Sequence, residues 1–213
     1  MKAIKLLVIA AVMALATPAF SQELSFGAKV GLNLSSATIK SGGEKADDIK
    51  MLPGLNVGVF ADMNFSELLA LEAGLQYEQK GYKFTYKEQG EELKDKYAIQ
   101  YLTIPVNQRA NLAMGDNTLY FLAGPTFGLG LSAKETVEYN GEKESESAKF
   151  GNGEEDDIKR MNVGLLFGAG FDLSSNLGFR VTYDLGLSNL VPKGDSDNKC
   201  TTGVMGVALT FKF

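Results

Sequence analysis

The stretch from Thr201 to Phe213 decides the fold; it reads Thr-Thr-Gly-Val-Met-Gly-Val-Ala-Leu-Thr-Phe-Lys-Phe, and apolar residues alternate with small or polar ones. Successive side chains of a β-strand point to opposite faces. A soluble domain would bury the apolar face in a core, whereas a membrane barrel would turn it to lipid and keep Lys212 inside. The apolar face consists of Met205, Val207, Leu209, Phe211 and Phe213.

The same alternation recurs in seven earlier segments. They span residues 24–34, 53–65, 69–86, 101–112, 118–133, 160–173 and 177–188. Four long polar segments separate them and predict loops over residues 35–52, 88–96, 134–159 and 189–200. Three short turns, near residues 64–67, 114–117 and 174–176, make the other connections. The sequence therefore predicts an all-β fold, an eight-stranded antiparallel up-and-down transmembrane β-barrel with four long extracellular loops and three short periplasmic turns.

One glycine interrupts the alternation of the third strand. Tyr82, Phe84 and Tyr86 share a face beyond Gly81, although the preceding pattern would divide the residues differently. A β-bulge or bend at Gly81 is the prediction that explains this change of face.

The first residues predict export. Lys2 and Lys5 precede an apolar run over 6–15, and small residues follow up to Ser21. About 10 apolar residues are too few for a spanning helix, which needs about 20. The pattern is typical of a signal peptide over residues 1–21, cleaved after Ser21, which leaves residues 22–213 as one outer-membrane β-barrel domain. No cysteine follows the small residues, so a lipid anchor is disfavoured.

Composition narrows the chemistry. The chain has no histidine, which removes Ser-His-Asp and Cys-His catalysis and histidine-ligated metals. Without Lys2 and Lys5, 19 basic residues (21 − 2) face 26 acidic ones, so the formal charge moves from −5 to −7. An acidic chain without basic runs is a poor nucleic-acid binder. Cys200 is the single cysteine and cannot form an internal disulfide. We expect no catalytic residue, no metal, no cofactor and no nucleic-acid partner.

The inward faces of the predicted strands carry charges of both signs. The cations are Lys29, Arg109, Arg160, Arg180 and Lys212, and the anions are Asp62, Glu72, Glu78, Asp172 and Asp184. Buried charges require partners, so we predict a charge-paired plug at the turn end of the lumen. A polar tunnel or proton path is the alternative. The predicted lumen charge cluster comprises Asp62, Glu72, Arg109, Asp172, Arg180 and Lys212.

Aromatic residues mark the turn ends of the outward faces. Phenylalanines at this height predict an aromatic girdle at the periplasmic interface. The alternative is that they are core residues of a soluble barrel. The girdle comprises Phe26, Phe65, Phe121, Phe171 and Phe179, together with Phe213.

The segment over 135–157 is rich in carboxylates. It lacks the fixed spacing of a calcium loop, so a solvated surface loop is favoured over a calcium site. Adjacent acids such as Asp156 and Asp157 would not be held in the geometry that acid/base catalysis needs.

Several short motifs resemble one family, the small outer-membrane β-barrel proteins grouped as "porin family" or PorT-like. The motifs are the segments over residues 26–33 and 101–106, Ala123-Gly124-Pro125, Gly168-Ala169-Gly170 and the terminal Phe211-Lys212-Phe213. The resemblance implies insertion by the outer-membrane assembly machinery, which recognises the terminal strand and its residues Val207, Leu209, Phe211 and Phe213. It implies little about activity: PorT itself is associated with a protein-secretion apparatus, but nothing in this sequence singles out that role.

The function predicted from these observations is a structural or interaction barrel with a side-chain-filled lumen and no catalytic activity. Its partners would be outer-membrane lipid, the assembly machinery and an extracellular or envelope protein. Three alternatives stay open: a narrow channel for water, ions or very small solutes, a component of a secretion apparatus, and a soluble lipocalin-like binder.

Overall fold

The computed structural model describes residues 23–46, 48–88, 91–139, 142–153, 155–173 and 176–213. The signal peptide predicted over residues 1–21 lies outside them. Within the described ranges, no helix is both long enough and apolar enough to cross a membrane.

The described chain is built from β-strands. They are β1 (Glu23–Ser41), β2 (Glu44–Lys45), β3 (Lys50–Asn64), β4 (Leu69–Glu88), β5 (Glu91–Met114), β6 (Asn117–Tyr139), β7 (Glu142–Ser147), β8 (Met161–Asp172), β9 (Leu177–Gly186) and β10 (Lys199–Lys212). Eight of them form an antiparallel ring in the order β1-β3-β4-β5-β6-β8-β9-β10. The short strand β2 pairs with β1, and β7 pairs with β6. The predicted eight-stranded up-and-down barrel is confirmed.

The last strand closes the ring by pairing with the first. Their register runs from Gly27 opposite Lys212 to Lys40 opposite Lys199. A closed ring has no free strand edge, so every strand in it can satisfy its backbone groups inside a bilayer.

Polarity is reversed relative to a soluble barrel. Val30, Leu32, Val207 and Leu209 lie on the outer surface with more than half of each residue exposed. The buried residues include many charged and amide side chains. Only a surrounding of lipid makes such an outer face favourable, which contradicts the soluble alternative.

Short turns join the strands at one end, as predicted. In the first turn, the Phe65 amide donates to the Leu69 carbonyl at 2.9 Å. In the second, Gly115 has a φ of 67°, a left-handed conformation that favours glycine. The third turn, around residues 173–176, includes two residues outside the described ranges.

The predicted long loops are in the right places, but much of their length is strand. The strands β5 and β6 contain 24 and 23 residues, about twice the 9–11 that cross a bilayer. Polar residues do not prevent pairing outside the membrane, because both neighbours still supply backbone hydrogen bonds. Among the described residues, the long irregular connections are 148–153 with 155–160, and 187–198.

The β-bulge predicted at Gly81 of β4 is found instead in the neighbouring strand β3. The predicted change of face in β4 does not occur. The register of β3 against β4 shifts between Met51 and Asn56, so the extra residue belongs to β3. The pairing of β4 with β5 continues in one register past Gly81. Tyr82 therefore stays on the inner side, where it stacks on Tyr97 with ring centroids 5.6 Å apart.

Candidate functional site

Four charged side chains form a closed ring across the lumen near the turn end. They come from every second strand of the barrel: Asp62 on β3, Arg109 on β5, Asp172 on β8 and Lys212 on β10. Arg109 binds Asp62 at 3.3 Å and Asp172 at 2.6 Å. Lys212 binds the same two carboxylates at 3.2 and 3.0 Å. The signs alternate around this four-residue ring, so each charge has two opposite neighbours.

A second layer spans the full width of the barrel. Glu72 on β4 and Arg180 on β9 belong to strands that lie opposite each other in the ring. The Arg180 Nη1 and Nη2 atoms donate to the two Glu72 oxygens at 2.7 and 2.8 Å. Arg180 Nε also donates to the Tyr120 hydroxyl at 3.2 Å. The Arg109 guanidinium lies 3.6 Å from the Tyr120 ring centroid, so Tyr120 joins the two layers.

A third layer contains a cation that the predicted alternation did not place inside. Lys80 on β4 binds Asp184 on β9 at 2.7 Å and Glu78 at 3.0 Å. Thr126 donates to Asp184 at 3.0 Å. The signal was present in the sequence, because Lys80 follows Glu78 by two residues. The break assigned to Gly81 obscured it.

Arg160 was predicted to face the lumen, and this is wrong. It is exposed and precedes the first residue of β8. Its guanidinium lies 5.3 Å from the Phe150 ring centroid, above the charged layers. Lys80 takes its place in the charge balance. The inner cations are thus Lys29, Lys80, Arg109, Arg180 and Lys212, against the anions Asp62, Glu72, Glu78, Asp172 and Asp184.

Burial makes this pairing essential. Arg109, Glu72 and Lys80 are each no more than 2% exposed. A buried charge without a partner is strongly unfavourable, whereas a paired and hydrogen-bonded one is tolerated. Glycine makes room for these groups: a Cβ at Gly170 would collide with the Tyr120 ring. The arrangement neutralises charge and fills space, and the charged groups of the three layers are paired with one another.

An apolar cluster, the cap, covers the extracellular end of the charged layers. Ile158 and Leu190 belong to it and come from the two irregular connections, which fold into the mouth of the barrel. The signal for it in the sequence is faint, because Ile158 is a single apolar residue among charged ones and Leu190 begins only a short apolar run in a polar segment. The cap comprises Ala37, Ile99, Tyr101, Ala133, Ile158, Leu190 and Cys200.

The predicted girdle residues all lie on the outer face near the turns. Phe26, Phe65, Phe121 and Phe179 are exposed, and Phe171 is half-buried with its ring centroid 6.1 Å from that of Phe179. The terminal-strand residues Val207, Leu209, Phe211 and Phe213 are also on the outer face, and Phe213 is 75% exposed.

Carboxylates gather on the inner side of the extracellular hairpins. Glu135 lies directly opposite both Tyr97 and Glu146. Partial burial raises the pKa of the Asp95 carboxyl, and partial burial together with the charge of Asp95 raises the pKa of Glu135. Within the described part of the chain, no group of three or more acidic, cysteine or histidine side chains is arranged to hold a metal ion.

Comparison with solved structures gives remote matches. The attachment invasion locus protein Ail of Yersinia pestis, crystallised with the heparin analogue sucrose octasulfate, is 16% identical, with a TM-score of 0.42; the match covers 90% of this chain and 99% of Ail. Neisserial surface protein A is 14% identical, with a TM-score of 0.45 and coverage of 90% and 99%. OprG from Pseudomonas aeruginosa is 15% identical, with a TM-score of 0.44 and coverage of 90% and 97%. No curated protein matches the sequence.

A family model gives the assignment. The model described as "Outer membrane protein beta-barrel domain" matches residues 20–191, which is more than half of the chain. The match covers every ring strand except β10, whose pairing with β1 completes the same barrel. The chain therefore belongs to the outer membrane protein beta-barrel domain family.

Proposed function

We propose that this protein is a non-conducting, non-catalytic barrel of the outer membrane that anchors its extracellular hairpins for contact with a partner. The observation that carries the proposal is the Glu72–Arg180 pair, which joins opposite walls of the barrel at 2.7 and 2.8 Å. Insertion by the assembly machinery and a protein partner in the envelope or outside the cell are parts of this proposal.

The filling of the lumen supports a closed barrel. Eight strands leave an interior just wide enough to be filled by side chains. Here three charged layers and the cap occupy it in sequence. A passing ion would have to separate buried pairs, and breaking one costs about 3–5 kcal/mol. The filled lumen therefore favours a closed barrel over the narrow channel.

The extracellular side supplies the interaction surface. The hairpins formed by β4 with β5 and by β6 with β7 form this surface, and the second hairpin carries exposed carboxylates, including Glu142, Glu144 and Glu146. Segments held by a rigid scaffold are common positions for binding residues. We assign the interaction to these hairpins and a supporting role to the paired interior.

Planar-bilayer recording tests the closed state. Purified wild-type protein is expected to give no discrete current steps. The matched control removes both cross-lumen pairs while keeping the net charge: Glu72→Ala, Lys80→Ala, Arg180→Ala and Asp184→Ala together. The folded variant is expected to conduct. Its current shows that the recording conditions allow insertion, so a lack of current steps from the wild type reports a closed lumen. Reproducible steps from the wild-type protein would contradict the proposal.

A further inference from the structure

Two rows of lysines cross the outer face of the strands beyond the membrane. In one row Lys40 lies directly opposite Lys45 on one side and Lys199 on the other. In the second row Lys83 lies directly opposite Lys50 and Lys96. The ring strands that carry them, β10, β1, β3, β4 and β5, are consecutive neighbours. We call this surface the lysine face; it comprises Lys40, Lys45, Lys50, Lys83, Lys96 and Lys199.

In the first row, two lysines lie the same number of residues beyond the lipid-facing band. On β1 the last outward apolar residue before Lys40 is Leu34, six positions earlier. On β10 the same separation divides Lys199 from Met205. Six residues span about 20 Å along a strand at about 3.3 Å each, and less in height when the strand is tilted.

The second row repeats this spacing on two more strands. Six positions separate Lys83 from Tyr77 on β4 and Lys96 from Leu102 on β5. The outward positions in these intervals are Gln79 and Gly81 on β4 and Gln100 and Ala98 on β5. The outer face thus changes from apolar to cationic with increasing distance from the lipid-facing band.

The lysine rows are not neutralised by the protein. Like charges directly opposite each other on adjacent strands destabilise a sheet. Within the described part of the chain, none of the six lysines forms an ion pair; the nearby carboxylate of Glu138 instead binds Lys94 at 3.8 Å and Lys143 at 3.4 Å. A cationic face of this kind, in a chain of net charge −5, favours the binding of an external anion.

The sheet separates its charges by face, and a bulge contributes to this. The register of β5 against β6 shifts at Gln100 and Tyr101, which leaves one extra residue in β6. Beyond the shift Ala133 faces inward and Lys134 is exposed. Without that residue, Glu135 would join the outer face and Lys134 the inner one. Glu135 therefore lies inside, whereas Glu138 lies on the outer face between Lys94 and Lys143.

We propose that the lysine face binds phosphate groups on the headgroups of the outer-leaflet lipid. A cleft of about 460 Å³ lies on this face, and its lining contains five lysines and two carboxylates: Lys50, Lys83, Lys94, Lys96 and Lys143 with Asp95 and Glu138. Ammonium groups are good partners for phosphate. Continuity with the lipid-contacting surface favours a membrane lipid over a soluble polyanion. Lipid binding at this face does not depend on whether the lumen is closed.

A binding measurement tests the assignment. Protein refolded in zwitterionic micelles is titrated with fluorescent diphosphoryl lipid A, at low and at high salt. The test variant carries Lys50→Gln, Lys83→Gln and Lys96→Gln. The matched control carries Lys149→Gln, Lys159→Gln and Lys193→Gln, which removes the same charge from the irregular connections. Each lysine beside anionic lipid contributes about fivefold to binding, so the test variant should bind about a hundredfold more weakly, whereas the control should bind like the wild type.

Three results would overturn the lipid assignment. The first is equal binding of lipid A by the test variant and the wild type, and the second is an equal loss of binding in both variants. The third is competition by soluble inositol hexakisphosphate as effective as that by lipid A, which would assign the face to a soluble polyanion instead.

Heat stability distinguishes a binding role of the lysines from a structural one. In micelles without lipid A the test variant should resist heat at least as well as the wild type, because like-charge repulsion is removed. A lower heat stability of the test variant would show that the lysines support the fold, and it would contradict a face built for an external anion.

Discussion

At the scale of single residues, Arg109 shows how the interior is held. Its guanidinium binds Asp62 and Asp172, donates to Asn111 at 2.7 Å and stacks on the Tyr120 ring. Removing the side chain would leave two buried carboxylates short of a partner. Lys212 would remain as the cation of the four-residue ring, with 19% of its side chain exposed.

We therefore expect Arg109→Ala to lower the free energy of unfolding by about 3–5 kcal/mol, the usual cost of breaking a buried ion pair. Urea unfolding in lipid vesicles, followed by heat-modifiable migration on gels, measures it. Arg160→Ala is the matched control, because Arg160 is exposed; its effect should stay within about 0.5 kcal/mol. Equal effects of the two substitutions would contradict the predicted role of Arg109.

Single residues also show which features of the interior the sequence predicts. Alternation placed all six residues of the predicted lumen cluster on the inner face, because the strand period is two. It did not reveal that Glu72 meets Arg180 or that Lys80 meets Asp184. Those partners depend on the stagger between distant strands, which the closed ring fixes and local sequence does not.

At the scale of elements, the extracellular hairpins respond to pH. Partial burial raises the pKa of Asp95 and Glu135, so the folded hairpin binds protons more tightly than the unfolded chain. Hairpin stability should fall as the pH rises from the ordinary carboxyl pKa of about 4 through the raised values, and level off above them.

Hydrogen exchange of β5, β6 and β7, corrected for the intrinsic effect of pH, measures this dependence. Glu135→Gln should increase protection at neutral pH, and the difference from the wild type should shrink at acidic pH. Glu144→Gln, at an exposed position of β7, is the control and should behave like the wild type. Protection of the wild type that does not change with pH would refute the prediction.

The hairpins also show why loops were predicted where strands occur. Segments such as Lys94-Asp95-Lys96 are as polar as a loop, and only apolar alternation was taken to indicate a strand. Once β4 and β5 are paired within the membrane, each further residue continues an existing ladder. Tertiary context of this kind overrides local propensity.

The terminal strand is the element to which the resemblance assigns an assembly signal, and we retain this as a proposal. Replacing Phe213 by Ala should reduce the fraction inserted in the outer membrane of cells several-fold, while the purified variant should refold in detergent. Phe127→Ala, at another outward and exposed phenylalanine, is the control. Membrane fractionation measures both, and equal insertion of the two variants would count against the signal.

At the scale of the whole molecule, the barrel has the opposite distribution of polarity to a soluble protein. Apolar side chains face lipid on the outside, and paired charges fill the inside. Alternation and the turn pattern predicted the strand number and topology, since both repeat around the ring. The cap could not be predicted, because Ile158 and Leu190 reach the mouth only through the paths of two irregular connections. The PorT-like relationship and its secretion role stay predictions.

The most direct test of the central claim, that side chains tie opposite walls together across the lumen, is a double-mutant cycle on Glu72→Ala and Arg180→Ala. Unfolding free energies are measured in vesicles for the wild type, both single variants and the double variant. Each single variant should lose about 3–5 kcal/mol, and the double variant should lose less than their sum by about 0.5–3 kcal/mol, as contacting residues do. Losses that add within about 0.5 kcal/mol would show that the two side chains do not meet, and would contradict the closed interior.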